Sequence, residues 1–280
     1  MIGVDDIVNL LELVVFSGHI KGEQPVSALV TAPVEAGKTE LVLKFAQNKG
    51  CVALTDVTEF GIMRDYGQAI IKGEIRHLII PDLIKPMSRG KDTVHTLITF
   101  FNSLIEEGVL RISTYAQRIG APSQVKSEAQ PIPARCGLIA TMAKDVLLDG
   151  RHHWSRMGFM SRLLPISYDY SPNTQLEIHK SIARRAYIED KPIKLDLPSE
   201  DVEVRLDSAQ GEELMSLTAM LTALSSQNKA EKVYGFRLQR HLQRLAMASA
   251  IRDGRQVVQQ QDLEAIRQLA ICINLEYYPI

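Results

Sequence analysis

The sequence predicts an α/β fold: a mainly parallel sheet followed by a small all-helical region. Three observations carry that prediction. Short apolar runs at 28–31, 51–55, 77–80 and 136–141 alternate with helical patterns, as in a parallel sheet covered on both faces. The first of these runs enters a helical pattern (Leu41, Val42, Phe45, Ala46) through Gly37, Lys38 and Thr39. After about Ser171 helical stripes dominate, such as Leu214, Leu217, Leu221 and Leu224. The 280 residues therefore divide into a sheet-bearing core, 1–170, and a helical domain, 171–280.

Residues 4–17 repeat apolar side chains at helical spacing (Val4, Ile7, Val8, Leu11, Val14, Val15), with Asp5 and Asp6 in the favourable first turn. A loop, 18–27, leads to the first strand, and the helix after it runs to about Gln47. Residues 58–66 read as a helix or an irregular excursion, because Gly61 weakens a helix. Pro81 ends the strand at 77–80, since proline cannot donate to a ladder. Residues 85–92 read as a charged turn, and 93–107 as a helix closed by Gly108. Residues 109–114 and 118–120 suggest a hairpin or loop excursion, and 122–134, with three prolines, a surface connection. A short helix is expected at 144–148 and a strand at 163–166 despite Pro165. Helices follow at 172–189, 210–225, 234–250 and 260–274, with a connector of β character at 193–206.

Residues 29–43 are the stretch around which the chain is organised. Strand, loop, Gly-Lys-Thr and helix follow in the order a phosphate-binding loop requires. In such a loop the backbone of Ala32, Pro33, Glu35, Ala36, Gly37 and Glu40 wraps the phosphates, and the N–H groups, of which Pro33 has none, donate to them. Lys38 reaches the outer phosphates and the Thr39 hydroxyl holds Mg²⁺. The full pattern has glycine where this chain has Ala32. An extended Ala32 is harmless there, whereas a positive φ costs about 1 kcal/mol. Asp82 follows the strand at 77–80, and Thr141 ends the run at 136–141. Ligands of open α/β sheets bind outside the carboxyl ends of strands, so Thr39 and Asp82 make a hydroxyl–carboxylate pair for a magnesium ion.

On these residues the chain resembles the AAA+ ATPases over nearly its full length, with the MCM, MoxR and RuvB branches the nearest in pattern. The resemblance implies a P-loop NTPase core with an all-α lid, ATP and Mg²⁺ as cofactors, Asp82 as Walker B and Thr141 as sensor 1. Ser161-Arg162-Leu163 resembles the Ser-Arg-Phe segment of MCM-type helicases, where the arginine enters the neighbouring subunit's site; Arg156 is the rival finger. Arg237 or Arg240 would be the sensor 2 arginine. Trp154 and Phe159 read as core or as subunit-interface anchors, the second a little more than is usual because they flank the arginines.

One departure from the pattern weighs on the reaction. Walker B continues with glutamate, and here the next residue is Leu83, which cannot accept a proton. Loss of such a group costs roughly 10²–10⁴ in rate. Glu35, Asp56 and Glu59 are the candidate substitutes. The resemblance further implies a homo-oligomer, ring or filament, acting on DNA or a DNA-bound protein. A separate recruiting protein is also implied, because no second reader module is visible. Lys85, Arg89 and Lys91, or Arg111, Arg118 and Lys126, are the local basic groups that could face phosphates. A nucleotide-gated scaffold with little turnover is the alternative; a relic loop or a small-molecule kinase are further ones.

Composition limits the rest. Formal net charge is -1, which removes a global basic field. The three cysteines, Cys51, Cys136 and Cys272, are scattered without metal-ligand spacing and read as buried fillers of a reducing compartment. The adjacent His152 and His153 diverge and lack a third ligand. No membrane span or secretion signal is expected, and the location expected is cytoplasmic.

Overall fold

Strand residues that alternate between two apolar faces need helices on both sides, and that is how the chain folds. The computed structural model describes residues 2–110, 132–186, 191–226 and 234–277. Its main sheet has five strands: β1 (Ala28–Ala32), β2 (Cys51–Ala53), β3 (His77–Ile80), β6 (Gly137–Ala143) and β7 (Leu164–Ser167). Their order is β2-β3-β6-β1-β7, and every neighbouring pair is parallel. A second pair, β4 (Val109–Leu110) with β5 (Ile132–Pro133), is antiparallel.

Alternate strand residues feed two apolar layers. Ala28, Val30, Ile79, Ile139, Leu164 and Ile166 face α1 (Asp5–Ser17), α2 (Lys38–Leu43), α8 (Ser208–Ser226), α9 (Phe236–Arg252) and α10 (Gln260–Leu269). Leu29, Leu78, Ile80, Leu138, Ala140 and Met142 face α3 (Glu59–Ile71), α5 (Lys91–Asn102) and α6 (Lys144–Arg156). The apolar layer is continuous from α1 across the sheet to the C-terminal helices. The pattern change near Ser171 marks the start of α7 (Pro172–Ala183), whose first turn Ser171 caps by accepting from the Thr174 N–H.

Several elements differ from the sequence expectation. The charged turn at 85–92 is α4 (Ile84–Met87) followed directly by α5. The helix expected at 144–148 runs on to Arg156, through Gly150, over which the Trp154 ring packs. Gly61 does not interrupt α3, because the Thr58 side chain accepts from the Gly61 N–H and starts the helix. Helix α7 ends at Ala183. The hairpin reading is met at its base by β4 and β5, and its tip, with Arg111, Arg118 and Lys126, lies outside the described residues. Ile132 and Pro133 belong to that pair and not to a surface connection. Pro165 is accommodated because β7 is an edge strand, whose outer side carries, among the described residues, the isolated Ile166–Ile273 bridge.

Residues 191–206 form an extended strap. Its Ile193 N–H donates to the Lys44 carbonyl, Asn48 bonds the backbone of Ile193 and Leu195, and Val202 pairs with Ile20. All three cysteines are buried and free, and burial pushes the Cys51 thiol up to about 12. Trp154 (7% exposed) and Phe159 (0%) are core residues and not interface anchors; Phe159 stacks on Phe101. Among the described residues no helix is long and apolar enough to cross a membrane.

Candidate functional site

The sheet order creates a crevice at the carboxyl ends of β1 and β6. The chain leaves β1 through α2 toward β2 on one side, and leaves β6 through α6 toward β7 on the other. Neighbouring strands whose connections diverge in this way leave a gap between them, the usual ligand position in open α/β sheets. The Gly-Lys-Thr loop sits there.

Ala32 is the last residue of β1, fully buried and paired in register with Ala143. It has no positive φ, so its methyl costs the loop nothing. The left-handed residues are instead Glu35 (φ 65) and Gly37 (φ 76). Glycine meets that conformation freely, and Glu35 carries a strain of about 1 kcal/mol. Pro33 opens the turn by accepting from the Ala36 N–H. Val34, Glu35, Thr39 and Glu40 are exposed.

Lys38 is folded into the loop. Its Nζ donates to the carbonyls of Ala32 (3.0 Å) and Pro33 (2.5 Å). Burial lowers its pKa, and the Asp82 charge partly offsets this. The hydroxyls of Thr39 and Thr141 both donate to the Pro81 carbonyl, at 3.1 and 2.5 Å. The Leu83 N–H in turn donates to the Thr141 carbonyl. Loop, β3 end and β6 are thus tied at the residue before Asp82. Asp82 itself is exposed, with Oδ1 accepting from the Ile84 N–H. A hydroxyl and a carboxylate one residue from their shared anchor fit the sparse protein donor set that Mg²⁺ takes beside phosphate oxygens.

The carboxylate candidates separate clearly. Leu83 is buried in the apolar layer. Asp56 is tied to Arg89 at 2.7 Å and caps the Val57 N–H. Glu35 is exposed on the loop. Glu59 is half-buried at the first position of α3, and burial raises its pKa.

The remaining arginines are elsewhere. Arg162 precedes β7, whose Leu164 pairs with Ala28, the first residue of β1. It therefore lies at the amino-terminal edge, about 16 Å of strand away from the loop. Its guanidinium donates to the Gly158 carbonyl, and burial with the Arg237 charge lowers its pKa. Arg237 donates to Ser161 and pairs with Glu106 at 3.3 Å; Arg240 reaches Glu106 at 3.8 Å. Arg237 and Arg240, the sensor 2 candidates, are both held on the Glu106 side, Arg237 also by Ser161. Their apolar stripe places α9 in the core but does not tell which strand edge its first turn meets. Arg156 ends α6, exposed at that same edge.

Two residues that sequence reasoning missed touch the loop. Tyr168 and Tyr170, just past β7, both donate their hydroxyls to the Ala36 carbonyl, at 2.8 and 2.9 Å. No short-range signal reveals contacts across more than a hundred residues. Beside them a cleft of about 880 Å³ opens between Gly37, Glu40 and Leu43 on one wall and Ile178 and Ile182 of α7 on the other. No residue of α7 is buried. No protein-family model matches the chain, and no curated protein matches it.

Proposed function

We propose that the chain is an AAA+-type protein that binds ATP with Mg²⁺ and couples nucleotide state to assembly and to the remodelling of DNA or a protein–DNA complex. The observation that carries the nucleotide reading is the joint anchoring of Thr39 and Thr141 on the Pro81 carbonyl, with Lys38 and Asp82 on the same crevice. Lys38 exchanges its carbonyl partners for phosphate oxygens. Thr39 and Asp82 would hold the magnesium ion, which would neutralise charge on the outer phosphates. The adjoining cleft is within the size range of small-ligand pockets and accepts the rest of the nucleotide.

Arg162 supports assembly in one respect: it is too far along the strands to serve its own loop, so a role in the reaction requires a second copy. The DNA part rests on the family resemblance. Arg89 is committed to Asp56 and Val57, which leaves exposed Lys85 and Lys91 as the basic side chains near Asp82 named from the sequence.

A second reading, a nucleotide-gated scaffold with little turnover, is favoured by Leu83. The position that normally carries the water-orienting glutamate is part of the core. The test is Mg²⁺-dependent ATP binding and phosphate release over a protein concentration series, with Lys38→Ala, Asp82→Ala and Arg162→Ala. Release lost in all three, with Arg162→Ala still binding, supports an assembling ATPase. Binding without release, with and without DNA, supports the scaffold. No binding at all refutes both.

A further inference from the structure

Two phenol groups on one backbone carbonyl of a glycine-containing loop are more than packing requires. Tyr168 follows β7 and its N–H continues the β1 pairing by donating to the Thr31 carbonyl. Tyr170 lies two residues further, and the two rings meet edge to face at 5.7 Å. Both hydroxyls converge on the oxygen of Ala36, which is itself buried.

The consequence follows from peptide geometry. In a trans peptide the C=O of one residue and the N–H of the next point in opposite directions, and the chain has no cis bonds among its described residues. With the Ala36 oxygen held toward the tyrosines, the Gly37 N–H is turned away from them. Gly37 has no Cβ to resist rotation of that peptide plane. A half-turn would present an oxygen, instead of an N–H, to an anion in the loop.

We infer that Tyr168 and Tyr170 are positioning residues that lock the 36–37 peptide so that the Gly37 N–H is ready to donate to a nucleotide phosphate. This rests on the nucleotide reading above and deepens it. It assigns to the tyrosines a pre-organising role that neither could fill through side-chain contact with phosphate. Burial pushes the Tyr168 phenol up, with Tyr170 beside it adding to the shift, so it remains a donor across the working range of pH.

The donors are redundant, so single changes are mild and the double change is not. ATP, ADP and AMP binding is measured by calorimetry with Mg²⁺ for wild type, Tyr168→Phe, Tyr170→Phe and the double variant, with Lys38→Ala as control. Each single variant is expected to lose less than about threefold. The double variant is expected to lose about tenfold or more for ATP and ADP, the scale of one hydrogen bond to a charged group, with its melting temperature close to wild type. Double-variant affinities equal to wild type overturn the inference and leave the nucleotide reading standing. Wild-type protein that does not bind, or that binds as Lys38→Ala does, overturns the reading and the inference with it. If the double variant folds poorly, amide exchange at Gly37 in the single variants decides. Exchange at Gly37 that is measurably faster than in wild type, with the β1 amides unchanged, supports the lock, and exchange at Gly37 equal to wild type in both variants overturns it.

Discussion

The two edges of the sheet use charge in opposite ways. At the carboxyl edge, among the described residues, Lys38 has only backbone carbonyls as hydrogen-bond partners, and Asp82 is exposed with one backbone N–H on it. At the amino edge, charges neutralise one another. Asp201 of the strap is shared by Arg76 and Arg135, Glu23 holds Arg244 at 2.9 Å, and Glu106 faces Arg237 and Arg240. His19 and His77 are buried beside this network. Polar groups satisfied only by loop backbone are placed to exchange partners for a ligand. Groups satisfied by distant charged side chains tie segments of the chain together. The same sheet thus separates the chemistry of a site from the chemistry of closure.

Four experiments break or sharpen that contrast. Acid should act first on the amino edge. Burial lowers His19 to about 4, and His77 and His241 to about 3, from 6.5. Their folded pKa values are depressed, so the unfolded chain binds more protons below pH 6.5. Stability is full above that pH and is lost as pH falls toward 4 and then 3, by up to about 1.4 kcal/mol per pH unit for each histidine. Between pH 7.5 and 5.5 the loss should approach about 4 kcal/mol, a large share of a typical domain's stability. Urea midpoints that stay level over that range would refute the neutral burial of these rings.

The second experiment sets the edges against each other. Lys38→Ala should weaken MgATP binding by about a hundredfold, as expected for removal of a charged hydrogen-bond donor from a partly buried site. Arg237→Ala should change it less than twofold, because Glu106 and Ser161 hold that side chain away from the loop. An equal loss in the two titrations would return Arg237 to the nucleotide.

Third comes the shared carboxylate. Burial raises the Asp201 pKa, but hydrogen bonds and charge from Arg76 and Arg135 outweigh it and hold it below the ordinary range. Asp201→Ala leaves two half-buried guanidiniums together and should cost about 2–3 kcal/mol by chemical denaturation. A cost below about 0.5 kcal/mol would mean the strap is held by its backbone bonds alone. The smallest effect is Glu35→Gly. It removes left-handed strain of about 1 kcal/mol at the cost of a more flexible unfolded chain, for a net gain near 0.5 kcal/mol. Destabilisation would show that the Glu35 side chain contributes to the loop.

Much of the carboxyl edge was legible in the sequence, because local order dictates it. Gly37, Lys38 and Thr39 are contiguous, and proline after an apolar run marks the end of β3 and the position of Asp82. The amino edge was not legible. Its contacts join residues 66 to 221 positions apart, as in Arg135 with Asp201 and Glu23 with Arg244. Helical spacing put Leu238, Leu242 and Leu245 in the core but left open which strand edge Arg237 would meet. Strand order was hidden for the same reason. The 137–143 run is apolar but for Thr141, as any central strand could be, and its register with both β1 and β3 places it between them.

That placement has a consequence for how the chain is made on the ribosome. Strand β1 and strand β3 emerge early, yet the strand that joins them is not synthesised until nearly half the polypeptide is complete. Until then β1 and β3 each expose an unpaired apolar border, a template for association with other chains. Nascent chains stalled before Gly137 are therefore expected to need chaperone protection, whereas those stalled past Ser167 have every strand of the sheet in hand.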